Sequence, residues 1–403
     1  MYNILFVFHV PFITQNGGVE RVTDLLTKAL IANGHTVYYL SSKKYDSNFK
    51  YPTNQYYFPS SNYTSTENID FYNTFLEEKK INIIINQNGA ENASYLYLKV
   101  KQRNHLKIIS VIHINPYIGY KHYQYSIIPL WIDISPKNIL IFSAKYMLYP
   151  FRLIFYKINK KIQLIKQYNY INNNSDIILL LSKMYFKDLL SICPKSVNKL
   201  KSIPNPIELI SNQNFEKKKQ ILYVGRFDTV QKRLDRLLKI WRKIYQQNPE
   251  WELILVGYGD LEKYLHAYIK RHQIERVVFA GKCDPTQYYQ TASILCLTSN
   301  YEGLPMVILE AMQYKVIPIA FNSFASITDL IIPDKTGIIV TPFDLNEYAQ
   351  KLEKLMLDSF ERKKIAIQAY QHVCNFSIKN IVEQWENLFK QLVNNEKNKI
   401  ITK

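Results

Sequence analysis

Ser299-Asn300-Tyr301-Glu302-Gly303-Leu304-Pro305-Met306-Val307-Ile308-Leu309-Glu310-Ala311-Met312 follows the apolar run Ile294-Leu295-Cys296-Leu297. A run this short and continuous is what a strand buried on both faces requires. Gly303 permits a tight turn, and Pro305, with its fixed φ, suits the first turn of a helix. Strand, turn and helix in that order form the unit of a parallel sheet, whose ligands bind beyond the carboxyl ends of the strands. Two carboxylates flank this turn, Glu302 in the loop and Glu310 inside the helix. A carboxylate accepts hydrogen bonds from two vicinal hydroxyls, so one acid can hold a sugar ring and the other a ribose. The helix N-terminus between them favours phosphate, and the whole reads as a nucleotide-sugar site.

Working outward, strand-like runs alternate with amphipathic segments almost throughout, the pattern of an α/β protein with parallel sheets covered on both faces. The first half gives strands at Asn3–Phe8, Thr36–Ser41, Ile81–Asn86, Leu106–His113 and Asp176–Ser182. The second gives Gln220–Val224, Trp251–Val256, Val277–Ala280, Ile294–Thr298, Val316–Ala320 and Gly337–Val340. Each half is expected to be a doubly wound, Rossmann-like sheet. Ile203-Pro204-Asn205-Pro206-Ile207 stiffens the backbone between them, which sets expected domains at 1–204 and 205–376. Residues 377–403 follow, with Ile378, Ile381, Trp385, Leu388, Phe389 and Leu392 at helical spacing.

Charged groups stand at two further strand ends. Tyr223-Val224-Gly225-Arg226-Phe227 puts Arg226 just past a strand, and Gln231-Lys232-Arg233 opens the next helix. An arginine fork and a lysine there can neutralise a diphosphate. In the first half, Gln15-Asn16-Gly17-Gly18-Val19-Glu20-Arg21 follows the first strand and opens a helix, where glycines let backbone N–H groups approach a phosphate. His113 ends its strand, and His9 ends the first one as a competing candidate. Val256-Gly257-Tyr258-Gly259-Asp260 and Val278-Phe279-Ala280-Gly281-Lys282 read as structural turns.

Taken together, Gly-Gly-Val-Glu-Arg, Gly225-Arg226 with Lys232, and Glu302-x7-Glu310 resemble the motifs of retaining GT-B glycosyltransferases, specifically glycosyltransferase family 4, the glycosyl transferases group 1. The resemblance covers nearly the whole chain and implies two Rossmann-like domains facing a central cleft, the first binding acceptor and the second the donor. It implies donor contacts from Gly17, Gly18, Arg226, Lys232, Glu302, Gly303, Leu304 and Glu310, with Gly18 closing over the donor phosphate. It places His113 and Glu302 at the reacting centre, His113 polarising a donor hydroxyl or assisting deprotonation of the acceptor. Transfer would keep the anomeric configuration through an oxocarbenium-like state, with no metal and no cofactor beyond the nucleotide-sugar, UDP-linked by prior. A similar final segment crosses back to the first domain. One stretch departs from the family pattern: Phe321-Asn322-Ser323-Phe324-Ala325-Ser326-Ile327-Thr328-Asp329 stands where many members carry a Gly-rich loop ending in Pro-Glu.

Composition bounds the alternatives. The 403 residues are 47% hydrophobic, enough for two cores. The first strand runs straight into a glycine-rich loop without a secretory signal, so a cytoplasmic location is expected. Cys193, Cys283, Cys296 and Cys374 are too scattered for a disulfide framework or a zinc site. Formal net charge is +18, and residues 101–200 hold 15 Lys+Arg against 3 Asp+Glu. That region contains a basic, aromatic insert at about 127–170, with Trp131, Ile139-Leu140-Ile141-Phe142, Tyr146-Met147-Leu148-Tyr149, Phe151-Arg152-Leu153-Ile154-Phe155-Tyr156, Lys157, Lys160, Lys161 and Lys166. A spanning helix is disfavoured, since Lys145 and Arg152 would each cost roughly 2.5–3.5 kcal/mol at the bilayer centre and Pro150 interrupts the helix. An interfacial helix on an anionic membrane fits, with six basic groups worth on the order of 6 kcal/mol; an internal helix with a solvated basic face is the alternative. The expected activity is sugar transfer to a glycan or lipid-linked saccharide in surface polysaccharide biosynthesis, at the inner face of the membrane. A nucleotide-sugar epimerase on the same fold, or a basic membrane- or nucleic-acid-binding protein without catalysis, are the other readings. No stacking motif accompanies the charge, so nucleic acid is not an expected partner.

Overall fold

The computed structural model describes residues 1–9, 11–12, 17–41, 52–62, 64–89, 91–101, 105–121, 143, 147, 149–211 and 214–401. Gln15, Asn16, Trp131, Ile139-Leu140-Ile141-Phe142, Lys145, Tyr146 and Leu148, named above, lie outside them. The chain forms two compact units, one of Met1–Tyr117, Lys161–Glu208 and Phe376–Lys403, the other of Ile118–Lys160 and Leu209–Asn375.

In the first unit, seven strands form one sheet: β1 Asn3–Phe8, β2 Thr36–Ser41, β3 Gln55–Tyr57, β4 Ile83–Asn86, β5 Lys107–Ile112, β6 Ile177–Leu180 and β7 Leu200–Ser202, in the order β3-β2-β1-β4-β5-β6-β7. In the second, β8 Gln220–Val224, β9 Glu252–Val256, β10 Val277–Gly281, β11 Ile294–Leu297, β12 Ile317–Phe321 and β13 Ile338–Val340 take the order β10-β9-β8-β11-β12-β13. Every pairing is parallel. Both orders run outward from the first strand and then reverse, the doubly wound arrangement whose crevice lies at the reversal point. Those points fall between β1 and β4 in one sheet and between β8 and β11 in the other. β3 and β7, of three residues each, are edge strands whose sequences carry no continuous apolar run.

The strands are apolar because both faces are covered. Ile83, Ile84 and Ile85 are fully buried, as are Ile221, Leu222 and Tyr223. In the first unit Ile4, Phe6, Ile85, Ile109 and Leu179 share a core with Ile381, Trp385 and Phe389 of the helix Ile378–Ile401. That helix starts beside the Pro-Asn-Pro segment: the Ile207 amide donates to the Phe376 carbonyl at 2.8 Å, and the Ile378 amide to the Ile207 carbonyl at 2.9 Å. In the second unit the polar ends of buried aromatics find partners, as their burial demands. Trp241 donates to the Glu275 carbonyl at 3.1 Å; the Tyr348 hydroxyl donates to the Ile319 carbonyl at 2.7 Å and accepts from the Leu297 amide at 3.2 Å.

Candidate functional site

The second unit's reversal point is built from the loops after β8 and β11. Two glycines in the turn after the neighbouring β9 bring backbones into direct contact with the segment that follows β8. A Cβ on Gly257 (φ 140°) would stand 1.9 Å from the Gly225 carbonyl oxygen, and one on Gly259 (φ 158°) would meet the Phe227 carbonyl oxygen at 2.4 Å. The turn Val256-Gly257-Tyr258-Gly259-Asp260 is therefore structural, as its sequence reads. It fixes the path of Gly225–Phe227 and so the root of Arg226.

Across from it, Glu302 is buried, and its carboxylate gathers three side chains. Oε1 accepts from Lys232 Nζ at 2.6 Å and Ser299 Oγ at 2.7 Å, and Oε2 accepts from Gln231 Nε2 at 3.1 Å. Gln231 Oε1 in turn accepts from Arg226 Nη2 at 3.3 Å. Arg226, Lys232 and Glu302 thus form one connected cluster, with Gln231 as the link the sequence reading overlooked. The loop carrying Glu302 is held from the departing stretch: Ser323 Oγ donates to the Ser299 carbonyl at 2.7 Å, and Ser326 Oγ to the Gly303 carbonyl at 2.5 Å. Ser326 is fully buried, so its hydroxyl replaces water that this carbonyl would otherwise need. Two hydroxyls at 323 and 326 are a legible signal in hindsight, set three apart at the start of a short helix, Ile327–Leu330.

Leu304 is buried, and Pro305 caps the helix Met306–Gln313 with an extended backbone. Glu310 stands in this helix. Its Oε2 accepts from the Tyr289 hydroxyl at 2.8 Å. Tyr289 is itself fixed twice over: its ring stacks on Tyr314 with centroids 5.8 Å apart, and Lys217 Nζ donates to the carbonyls of Tyr289 and Gln290 at 2.8 and 2.9 Å. Burial pulls the Lys217 amine down to about 7, with Lys315 nearby acting in the same direction. Tyr289 is a positioning residue for Glu310 that no motif in the sequence marks.

Among the described residues, the first unit's reversal point is built mainly from neutral groups where the second is ionic, with the Glu91 carboxylate accepting from Asn88 Nδ2 at 2.7 Å at its margin. His113 Nε2 and Gln87 Oε1 lie 2.6 Å apart, Gln87 Nε2 donates to Thr23 Oγ1 at 3.3 Å, and Thr23 Oγ1 donates to the Val19 carbonyl at 2.8 Å. Because the Thr23 proton is committed to Val19, its oxygen must accept, which orients the Gln87 amide and makes His113 Nε2 the protonated nitrogen. His113 Nδ1 is then a buried lone pair, without a partner among the described residues. Burial lowers the His113 pKa to about 4, so the ring is neutral at neutral pH. Beside it the Asn88 carboxamide oxygen accepts from the His9 amide at 2.6 Å, and Asn86 Nδ2 donates to Ser94 Oγ at 3.0 Å and to Ser110 Oγ at 3.2 Å. A Cβ on Gly89 would come within 2.4 Å of the Val111 carbonyl oxygen, so Asn86-Gln87-Asn88-Gly89 must turn tightly against β5. This amide-rich run directly after Ile83-Ile84-Ile85 is the signal that sequence reasoning missed.

The two glycines of the first loop are a different case. Gly17 has an extended backbone, φ −176°, open to any residue, and a Cβ there would meet only the flexible end of Glu20. A Cβ on Gly18 would meet nothing within 4 Å. Among the described residues, nothing requires a glycine at either position. Among the described residues, no group of three His, Cys, Asp or Glu is placed to hold a metal ion.

Comparison with known proteins follows the same division. Residues 206–372 match the family model described as glycosyl transferases group 1. The amylovoran biosynthesis glycosyltransferase AmsD of Erwinia amylovora is 32% identical over 176 residues, 43% of this chain and 48% of that protein. A Campylobacter jejuni α-1,4-N-acetyl-D-galactosaminyltransferase, named for its undecaprenol-diphosphate-linked saccharide, is 29% identical over 203 residues, 49% of this chain and 56% of that protein. The chain thus spans about half the length of the curated relatives it matches. The crystal structure of Anabaena HepE in complex with UDP superimposes with a TM-score of 0.73 at 16% identity, over 96% of this chain and all of that one. The chain has the GT-B fold, and its residues 206–372 belong to the glycosyl transferases group 1 family.

Proposed function

We propose that the protein is a retaining glycosyltransferase that moves a sugar from a UDP-sugar onto a glycan or lipid-linked saccharide, in polysaccharide biosynthesis at an anionic membrane face. The observation that carries this reading is the Arg226–Gln231–Glu302–Lys232 cluster at the reversal point of the second sheet. Two cations there offset the charge that grows on the diphosphate as its bond to the anomeric carbon lengthens. They supply the role a divalent metal has elsewhere, so transfer is expected to persist in EDTA; strict Mg²⁺ dependence would contradict this. Glu310, aimed by Tyr289, takes the ribose hydroxyls, and the carboxylate of Glu302 reaches sugar hydroxyls as Lys232 turns to phosphate. The new glycosidic bond forms on the face the leaving group vacates.

Gly17 and Gly18, where nothing among the described residues requires a glycine, leave room for phosphate against the helix N-terminus at Gly18–Ala32. For His113 the lowered pKa separates the two roles expected from the sequence. A ring that protonates only near pH 4 is a weak base, which favours a neutral polarising imidazole over deprotonation of the acceptor. Orienting the donor sugar is its proposed task. The undecaprenol-diphosphate-linked saccharide in the Campylobacter relative's name and the UDP in the HepE crystal support the acceptor class and the nucleotide.

The test is nucleotide release from a panel of UDP-, GDP-, ADP- and CMP-sugars with a lipid extract as acceptor source, beside Glu310→Ala. Release from one donor, lost with donor binding in Glu310→Ala, is expected. Sugar conversion without acceptor would identify an epimerase instead, and equal donor affinity in Glu310→Ala would remove that residue from the site.

A further inference from the structure

Within the helix Tyr149–Asn174, one face is anchored and the other is bare. Leu164, Tyr168 and Ile171 are buried, and the Tyr170 hydroxyl donates to the Tyr95 carbonyl at 3.1 Å, so this part of the helix cannot roll. Facing away are Phe151, Ile154, Phe155, Ile158 and Ile162, exposed by 70, 58, 71, 54 and 47%. Steps of three, one, three and four residues keep all five on a single stripe, about 17 Å long at 1.5 Å per residue. Large apolar side chains this exposed and this aligned are an interaction surface.

Charge identifies what covers it. The 26 residues of this helix include Arg152, Lys157, Lys160, Lys161 and Lys166 and contain no Asp or Glu. At 100° per residue, Arg152 and Lys166 flank the stripe on one side and Lys161 on the other. An apolar stripe between two basic edges matches a surface that is apolar below and anionic above. A second copy of the chain, itself at a formal +18, is a poor complement to those edges. Among the described residues, no helix is long and apolar enough to cross a membrane. A helix lying in the plane of the surface needs no such length.

We propose that this face docks on an anionic lipid bilayer, Phe151, Ile154, Phe155, Ile158 and Ile162 entering the boundary between headgroups and acyl chains while Arg152, Lys161 and Lys166 meet lipid phosphates. The proposal deepens the membrane-facing part of the reading above by assigning the surface, and it keeps the enzyme where a lipid-linked acceptor lies.

The test is co-sedimentation of the full chain with phosphatidylcholine vesicles, with and without phosphatidylglycerol. Wild type is expected to bind the phosphatidylglycerol vesicles and to be released by salt. Phe151→Ser with Phe155→Ser is expected to lower partitioning at least about a hundredfold. Arg152→Gln with Lys161→Gln is expected to lower it about twenty-five-fold, near fivefold per charge. Melting and nucleotide release with a detergent-dispersed acceptor should not change in either variant, because the altered side chains are exposed. Equal binding by the serine variant, or no binding by wild type, would overturn the docking surface while leaving the transferase reading to its own assay. A wild-type dimer that the serine variant dissolves would also overturn it, assigning the stripe to a second copy. Vesicle binding that depends on these residues, in a protein that releases no nucleotide, would sustain the surface and break the enzyme reading.

Discussion

The reversal points of the two sheets share one topology and differ in chemistry. In the second unit the loops after β8 and β11 assemble ions: the largely buried Lys232 and the buried Glu302 pair at 2.6 Å, with Arg226 joined through Gln231. In the first unit the segments after β4 and β5 assemble mainly amides, hydroxyls and a neutral imidazole, with Glu91 bonded to Asn88 at the margin. Ions are suited to a ligand that carries charge and gains more in the reaction; neutral acceptors and donors are suited to one that presents hydroxyls. The ionic reversal point suits the diphosphate of the proposed donor, and the neutral one suits hydroxyls.

The largest expected effect comes from breaking the ionic half from within. Glu302→Ala leaves the largely buried Lys232 amine without its carboxylate, so unfolding of the second unit should become easier by about 3–5 kcal/mol, read from chemical denaturation. Lys232→Met with Glu302→Ala removes both charges and should recover part of that loss; no recovery would mean that the pair is not what Glu302 contributes.

The neutral half should break differently. His113→Gln is expected to lower turnover by about a hundredfold or less, with donor KM little changed. It should also alter acid stability in a defined direction. The folded-state pKa of His113 lies near 4, below its ordinary 6.5, so between those values the unfolded chain binds a proton that the folded chain does not. Stability therefore falls as pH drops from about 6.5 toward 4. His113→Gln should flatten that decline, and an unchanged slope would contradict the buried neutral ring.

Smaller effects sharpen the comparison. Tyr289→Phe keeps the ring stacked on Tyr314 and removes the hydrogen bond to Glu310. It should weaken donor binding by about fivefold, equivalent to roughly 1 kcal/mol, and leave kcat nearly untouched. Gly18→Ala enters open space, so melting should stay within about 0.5 kcal/mol of wild type while the donor KM rises. Unchanged kinetics in Gly18→Ala would mean that phosphate does not approach this loop.

What the sequence makes legible follows from how locally each feature is encoded. The long apolar strands and the Arg226, Lys232 and Glu302 positions are read from runs and spacings within a few residues. The partners that aim those groups are not: Gln231 acts through a contact 71 positions away, and Ser326 through one 23 positions away. Tyr289 and Glu310 stand 21 apart on different helices. Their residue types are common on any surface, and only the closed sheet brings them together. β3 and β7 escaped for a related reason, since three-residue edge strands owe their pairing to a neighbour rather than to their own apolar content. Glu302 illustrates the limit best: its spacing from Glu310 suggests a sugar ligand in the sequence, and only the structure shows that it holds Lys232 and fixes its loop.

The division of labour between the two reversal points is tested most directly by calorimetric titration of UDP into wild type, Arg226→Gln and His113→Gln. Arg226 is exposed, so its loss does not endanger the fold. UDP affinity is expected to fall about tenfold in Arg226→Gln and to stay at the wild-type value in His113→Gln. Affinity unchanged in Arg226→Gln and lost in His113→Gln would contradict the assignment of diphosphate to the ionic half.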